Sequence, residues 1–322
     1  MIKQLQKNNQ VFCTTRYYRE VTQLAKLKKL KLVIIGRHGG QNKLDKLNAS
    51  INRIILLTRN IQKFNPDLAI SFCSPEAART SFGLGIKHIA FCDSPHAEAV
   101  MRLSVPLIQK LLIPWIIPKK EFTKYGIKSK DIIPYKAIDA SIIVKNANYK
   151  KTQQKRKQKN ILIRLEEEQA AYAQKKHTQV LRIIKDIVAK FPNENVLVLP
   201  RYRTQIKTLR QTLGSTVRIL DKVVIGKTLL ENTDVFVGSG GTMTAEAALV
   251  GIPTISYNAV PNLVQDFLVR KKLVISESNP KKIVIYIDKL LRSDNKNLQK
   301  NARITLSSME DPLKKLNQVI RM

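Results

Sequence analysis

Val235-Phe-Val-Gly-Ser-Gly-Gly-Thr-Met-Thr-Ala-Glu-Ala-Ala-Leu-Val-Gly-Ile-Pro253 reads as strand, glycine turn, helix and the approach to a second strand. Asp234 to Val237 is a short β-branched apolar run, as a buried parallel strand requires. Gly238, Gly240 and Gly241 let the backbone turn tightly and approach a ligand. Thr242 to Val250 is built from good helix formers, and Gly251 and Pro253 stop it. The N–H groups of Gly240, Gly241 and Thr242, with the Ser239 hydroxyl, therefore stand at a helix N-terminus, where the dipole favours an anion. Glu246 follows on the first turns, within reach of a hydroxyl beside that anion. A diphosphate on the turn and a ribose on Glu246 satisfy both features. The same residues also read as a plain βα turn with a Glu complementing the dipole.

Outward from this stretch, strands alternate with helical segments over all 322 residues, which points to an α/β chain of two Rossmann-like, doubly wound domains facing a cleft. The boundaries expected are 1–140, a basic linker at 141–159 around Lys150-Lys-Thr-Gln-Gln-Lys-Arg-Lys-Gln-Lys159, and 160–322 with closing helices. Met1 to Asn8 reads as the end of a helix and Gln10 to Thr15 as a strand. A doubly wound domain normally opens with a strand and loop before that helix, so the first strand of the N-terminal domain is expected to be missing from this sequence.

Three strand ends in the first half carry candidate chemistry. Gly36-Arg-His-Gly-Gly40 places Arg37 and His38 where an α/β sheet puts ligand loops, or is a simple turn. In Cys73-Ser-Pro-Glu-Ala-Ala-Arg79, Ser74 suits an N-cap and Pro75 the first helical position; Glu76 then complements the dipole or faces a substrate. Asp93-Ser-Pro-His-Ala97 repeats the pattern, with Asp93 or Ser94 as cap. His96 at that helix start is either a general base kept neutral by the dipole or a turn residue without chemistry. In the second half, Arg164 and Arg201 follow two strands on the same edge as the Ser239 turn, with acidic Glu166 to Glu168 beside them. Arg suits bidentate phosphate contact, and exposed Arg is also ordinary in so basic a chain.

The charge is extreme: 57 Lys and Arg against 24 Asp and Glu give +33. Nucleic acid, anionic lipid and phosphorylated substrates all fit such a surface. Aromatics are not interleaved with the basic runs, which disfavours specific nucleic-acid binding. The apolar segment from Met101 to Pro118 reads as core helix plus strand, or as a membrane-contacting patch. Cys13, Cys73 and Cys92 read as buried free thiols of a reducing compartment. The expected location is cytoplasmic, with peripheral contact to the inner face of the membrane as the extension. Neither a metal-ligand spacing nor an Asp-x-Asp pair is visible, so no metal site is expected.

The Ser-Gly-Gly turn followed by Glu resembles the nucleotide-sugar turn in the C-terminal domain of GT-B glycosyltransferases and UDP-N-acetylglucosamine 2-epimerases. Its spacing, Ser239 to Glu246, is one residue longer than in the epimerases. With Gly36-Arg-His-Gly-Gly40, Ser74-Pro-Glu-Ala-Ala-Arg79, Phe82-Gly-Leu-Gly-Ile86, Asp93-Ser-Pro-His-Ala97, Ile163-Arg-Leu165 and Gly238-Ser-Gly-Gly-Thr-Met-Thr-Ala-Glu-Ala247, the whole chain resembles the mostly archaeal domain of unknown function 354, placed with the GT-B superfamily. The resemblance implies a UDP-linked or similar nucleotide-sugar donor, no further cofactor, and an acceptor in the cleft; the apolar Leu103 to Ile117 segment adds a lipid-linked acceptor to a polar one. It implies a metal-independent glycosyltransferase, with a sugar-nucleotide 2-epimerase or a non-catalytic basic relative as alternatives. Ser239, Gly240, Gly241, Thr242, Glu246, Arg164 and Arg201 would bind the nucleotide, and His96, His38 or Glu76 would supply the base.

Overall fold

The computed structural model describes residues 1–149, 157–167, 177–257 and 260–321. Contacts divide the chain into two units. The first holds Met1–Ala137 and Glu310–Met322, and the second holds Ile138 to Met309 apart from a short insertion.

The first unit contains α1 (Ile2–Leu5), β1 (Thr14–Tyr17), α2 (Arg19–Leu27), β2 (Val33–Arg37), α3 (Lys43–Phe64), β3 (Leu68–Ser71), α4 (Pro75–Gly83), β4 (Lys87–Phe91), α5 (Glu98–Ser104), β5 (Lys110–Pro114), α6 (Lys120–Thr123) and β6 (Ile132–Tyr135). β1 and β2 form a parallel pair, and β3-β4-β5-β6 a parallel four-stranded sheet; no ladder joins the two among the described residues. The first strand lies later than Gln10–Thr15, because its partner β2 runs on to Arg37 and pairs with Tyr17. Most of the apolar run after Met101 is core: Met101, Val105, Leu111, Leu112, Ile113 and Ile117 are buried, while Leu103 and Trp115 are exposed. Cys73 and Cys92 are buried and Cys13 half-buried, all as free thiols.

The second unit contains α7 (Asp139–Ala147), β7 (Asn160–Arg164), α8 (His177–Lys190), β8 (Asn195–Leu199), α9 (Arg203–Leu213), β9 (Arg218–Ile219), α10 (Gly226–Glu231), β10 (Val235–Gly238), α11 (Thr242–Val250), β11 (Thr254–Ser256), α12 (Leu263–Arg270), β12 (Ile275–Ser276), α13 (Pro280–Arg292) and α14 (Lys296–Ser307). Its six strands are all parallel, in the order β12-β11-β10-β7-β8-β9. Numbered one to six along the unit, that order is 3-2-1-4-5-6, with its topological switch between β7 and β10. Ile161, Ile163, Val235, Val237 and Ile255 pack on α8 and α13 through Ile183, Ile187, Ile283 and Ile287. Leu162 and Phe236 point to the other face, onto Leu230, Ala247 and Ile252. Strand alternation thus fills both layers from one short apolar sequence.

Two boundaries differ from the sequence reading. Part of the expected linker is helix α7, which buries Ala140, Ser141 and Val144 and packs against α11; Lys150 to Arg156 lie outside the described residues. The last helix, α15 (Pro312–Ile320), belongs to the first unit rather than to 160–322. Just ahead of it, the Glu310 N–H donates to the Lys136 carbonyl at 2.9 Å, and the Glu310 carboxylate accepts from the Lys136 N–H. Among the described residues no helix is long and apolar enough to cross a membrane.

Candidate functional site

The second unit brings four strand ends to one edge. Ladder register sets Val237 of β10 beside Ile163 of β7, Arg164 beside Leu199 of β8, and Gly238 beside Ser256 of β11. The turn after β10 therefore opens at the switch point, next to Arg164. Gly240 and Gly241 both take φ of 84°, and no side chain caps α11. Gly241 and Thr242 are exposed, and Ser239 and Gly240 half-buried. An L side chain at Gly238 would bring its Cβ to 2.6 Å from the Phe236 ring and 2.7 Å from the Thr244 Oγ1, so glycine lets the helix start sit on the strand. The result is a helix N-terminus presented at the edge without a protein cap, an arrangement suited to an anion.

Glu246 is half-buried on the second turn of α11. The Tyr149 hydroxyl, just beyond α7, lies 3.5 Å from its Oε2, and the start of α10 at Gly226 packs beside the same oxygen. Burial raises the Tyr149 phenol above its ordinary range, and the charges of Glu246 and Glu231 raise it further, so the phenol keeps its proton. Nothing in the sequence pointed to Tyr149, because ninety-seven residues separate it from Glu246.

The two arginines are at the edge but engaged. The Arg164 guanidinium donates to the Pro200 carbonyl at 2.8 Å. The Arg201 Nε donates to the Leu165 carbonyl at 3.2 Å, and its Nη1 is 3.7 Å from the Glu167 carboxylate. Tyr202 donates to Glu167 as well. Below them, buried Tyr257 donates to the buried Glu166 carboxylate at 2.7 Å and to the Arg164 carbonyl at 3.1 Å. Both arginines thus tie the loop after β7 to the loop after β8. Glu168 lies outside the described residues.

In the first unit, register sets Ser71 beside Ala90, so the loops after β3 and β4 are neighbours. Ser74 caps α4 as expected, accepting from the Ala77 N–H at 3.3 Å. Its hydroxyl donates to the Glu76 Oε2 at 2.9 Å, and Glu76 is buried with its charge acting on the buried Arg53. The structural reading of Glu76 is thereby accounted for.

His96 lies in a turn rather than on a helix. The Ala97 N–H donates to the Ser94 carbonyl, and α5 starts only at Glu98 with Ala97 as its cap. Asp93 is instead occupied by the Ser94 hydroxyl at 2.6 Å. The His96 pKa is lowered, chiefly by burial, with Asp93 opposing. His38 accepts at Nδ1 from the Gly40 N–H at 3.0 Å, which puts the proton of its neutral form on Nε2. Held that way, His38 offers a donor rather than a base.

This chain matches the family model described as "Protein of unknown function (DUF354)" over residues 1–320. The chain belongs to that family. An uncharacterised protein of Methanocaldococcus jannaschii is 29% identical over 333 residues, covering 97% of this chain and 90% of the relative. UDP-GlcNAc 2-epimerase from Neisseria meningitidis, solved bound to UDP-GlcNAc, superposes with a TM-score of 0.68 at 16% identity, covering 95% of this chain and 94% of that one. The glycotransferase of kitacinnamycin superposes with a TM-score of 0.60 at 13% identity, covering 99% and 93%. At these identities the likeness is one of fold: a GT-B, Rossmann-like α/β protein.

Proposed function

We propose that this DUF354 protein is a nucleotide-sugar enzyme, with a UDP-linked donor held by the second unit and transfer of the sugar to an acceptor hydroxyl as its reaction. The observation that carries the reading is the uncapped α11 N-terminus at the switch point, followed by Glu246. Backbone N–H groups of Gly240, Gly241 and Thr242, with the Ser239 hydroxyl, would stabilise the departing diphosphate without reorganising. Glu246 would accept from the ribose hydroxyls. Arg164 and Arg201 would hold the loops beside the phosphates and supply positive charge there. This reading needs no metal or further cofactor. Deprotonation of the acceptor falls to His96, whose burial favours the neutral imidazole, and not to His38, whose Nδ1 already accepts from Gly40, or to Glu76, which the Ser74 hydroxyl holds.

The second reading is sugar-nucleotide 2-epimerisation, favoured by the closer superposition on the Neisseria enzyme. Both readings share the donor site, so the first test addresses that site. Thermal unfolding is followed against a panel of nucleoside diphosphates and nucleotide sugars, for the wild type and Glu246→Ala. A ligand binding only the native state stabilises it by about 2.7 kcal/mol at a hundredfold excess over Kd. Stabilisation by one nucleotide class, lost in the variant, is the expected result; no stabilisation by any of them refutes the donor site. Release of free UDP only when an acceptor is added then separates transfer from epimerisation.

A further inference from the structure

Of the twenty large apolar side chains exposed among the described residues, ten fall between Tyr17 and Leu56. Five of the ten lie on α3. Leu44, Leu47, Ile51 and Ile55 are 63%, 56%, 46% and 45% exposed, at spacings that place them on one stripe of the helix. At 1.5 Å per residue that stripe is about 16 Å long. The opposite face is fixed by the fold: Leu57 and Arg53 are buried there, and the Arg53 guanidinium donates to the Ile35 carbonyl. α3 therefore buries an arginine while presenting leucine and isoleucine to solvent. Contiguous apolar surface of this kind marks a docking face, unlike scattered single side chains.

Charge selects the occupant. Residues 1–63 carry fourteen Lys and Arg against two acids, Glu20 and Asp45, a net of +12. On α3 itself, exposed Lys43, Arg59 and Lys63 flank the stripe. A second copy would set two such basic faces together, each on a chain of net +33. Nucleic acid would satisfy the cations but leave the stripe unrewarded, since it holds no aromatic residue for a base to stack on. An anionic lipid bilayer satisfies both: acyl-chain boundary for the leucines and isoleucines, headgroup phosphates for the cations. We propose that α3 docks its Leu44–Ile55 stripe into the interface of an anionic membrane. This inference stands independently of the nucleotide-sugar reading.

The test is flotation of the full chain with vesicles of phosphatidylcholine alone and of phosphatidylcholine with phosphatidylglycerol, at low and high salt. Two variants are compared, Leu47→Gln/Ile51→Gln and Arg59→Gln/Lys63→Gln. All four side chains are exposed, and circular dichroism checks that each variant is folded. The wild type should float only with the anionic vesicles. The apolar variant should lose about tenfold or more in bound fraction, and the charge variant should weaken with a reduced salt dependence. Failure of the wild type to float, or flotation of Leu47→Gln/Ile51→Gln at the wild-type level, overturns the proposal. So does light scattering that shows a dimer dispersed by Leu47→Gln/Ile51→Gln, since the stripe would then be covered by a second copy.

Discussion

Replacing Gly241 with alanine separates torsional from steric demands at the candidate phosphate turn. Gly241 sits at φ 84°, ψ −171°, a region that only glycine occupies readily. A Cβ there meets nothing within 4 Å, so the substitution introduces no collision. Holding alanine in that conformation costs about 1–3 kcal/mol. Stiffening of the unfolded chain returns about 0.4–1 kcal/mol. At the middle of each range the net loss is about 1.3 kcal/mol, or roughly 3–5 °C in Tm for a unit of this size. The cheaper escape is rotation of the peptide, which would turn N–H groups away from the edge. UDP should therefore raise the Tm of the wild type but not of Gly241→Ala. Gly214→Ala is the control: Gly214, at φ 56°, ψ −129° beyond α9, also has open space around a Cβ. That variant should lose stability comparably yet keep the UDP response. A Gly241→Ala Tm within about 1 °C of wild type, with the UDP shift intact, would refute the reasoning that the turn needs its glycine geometry.

Further predictions rest on single residues. Gly238→Ala should destabilise the second unit by about 1–3 kcal/mol through overpacking against Phe236 and Thr244, read from urea midpoints. Tyr149→Phe should weaken binding of ribonucleotides while leaving 2′-deoxy analogues unaffected, if the phenol orients Glu246; equal weakening of both by titration calorimetry would disprove that role. His88 is fully buried, with Nε2 2.8 Å from the Ser71 hydroxyl, and burial lowers its pKa from 6.5 to about 4. The unfolded chain takes up this proton first as pH falls, so the contribution is complete above about 6.5, declines towards 4 and is flat below. The total is about 3 kcal/mol, and His88→Gln should flatten that part of the stability–pH curve.

Local pattern carried much of the fold. α11 begins and ends where its helix formers and the Gly251 stop put it, at Thr242–Val250. Ser74 as the cap of α4 was equally legible, because capping is a contest among a few adjacent residues. The same logic failed at Asp93-Ser-Pro-His-Ala97. There the Ser94 hydroxyl took the Asp93 carboxylate, leaving Ala97 to start the helix. Competition between equally local partners is not ranked by sequence.

Periodicity, glycine placement and motif order along the chain suffice to read the strand–turn–helix at Ser239, the parallel α/β class and the family. How the strands are shuffled, and so that Arg164 lies beside Gly238, follows only from packing across the sheet. Packing also placed Tyr149 on Glu246, engaged Arg201 with Glu167, buried most of the apolar segment after Met101 and left an apolar stripe of α3 exposed. These are contacts between residues tens of positions apart, set by which faces pack. A hydrophobic run announces that it will be buried or will bind something; only the packed neighbours show which.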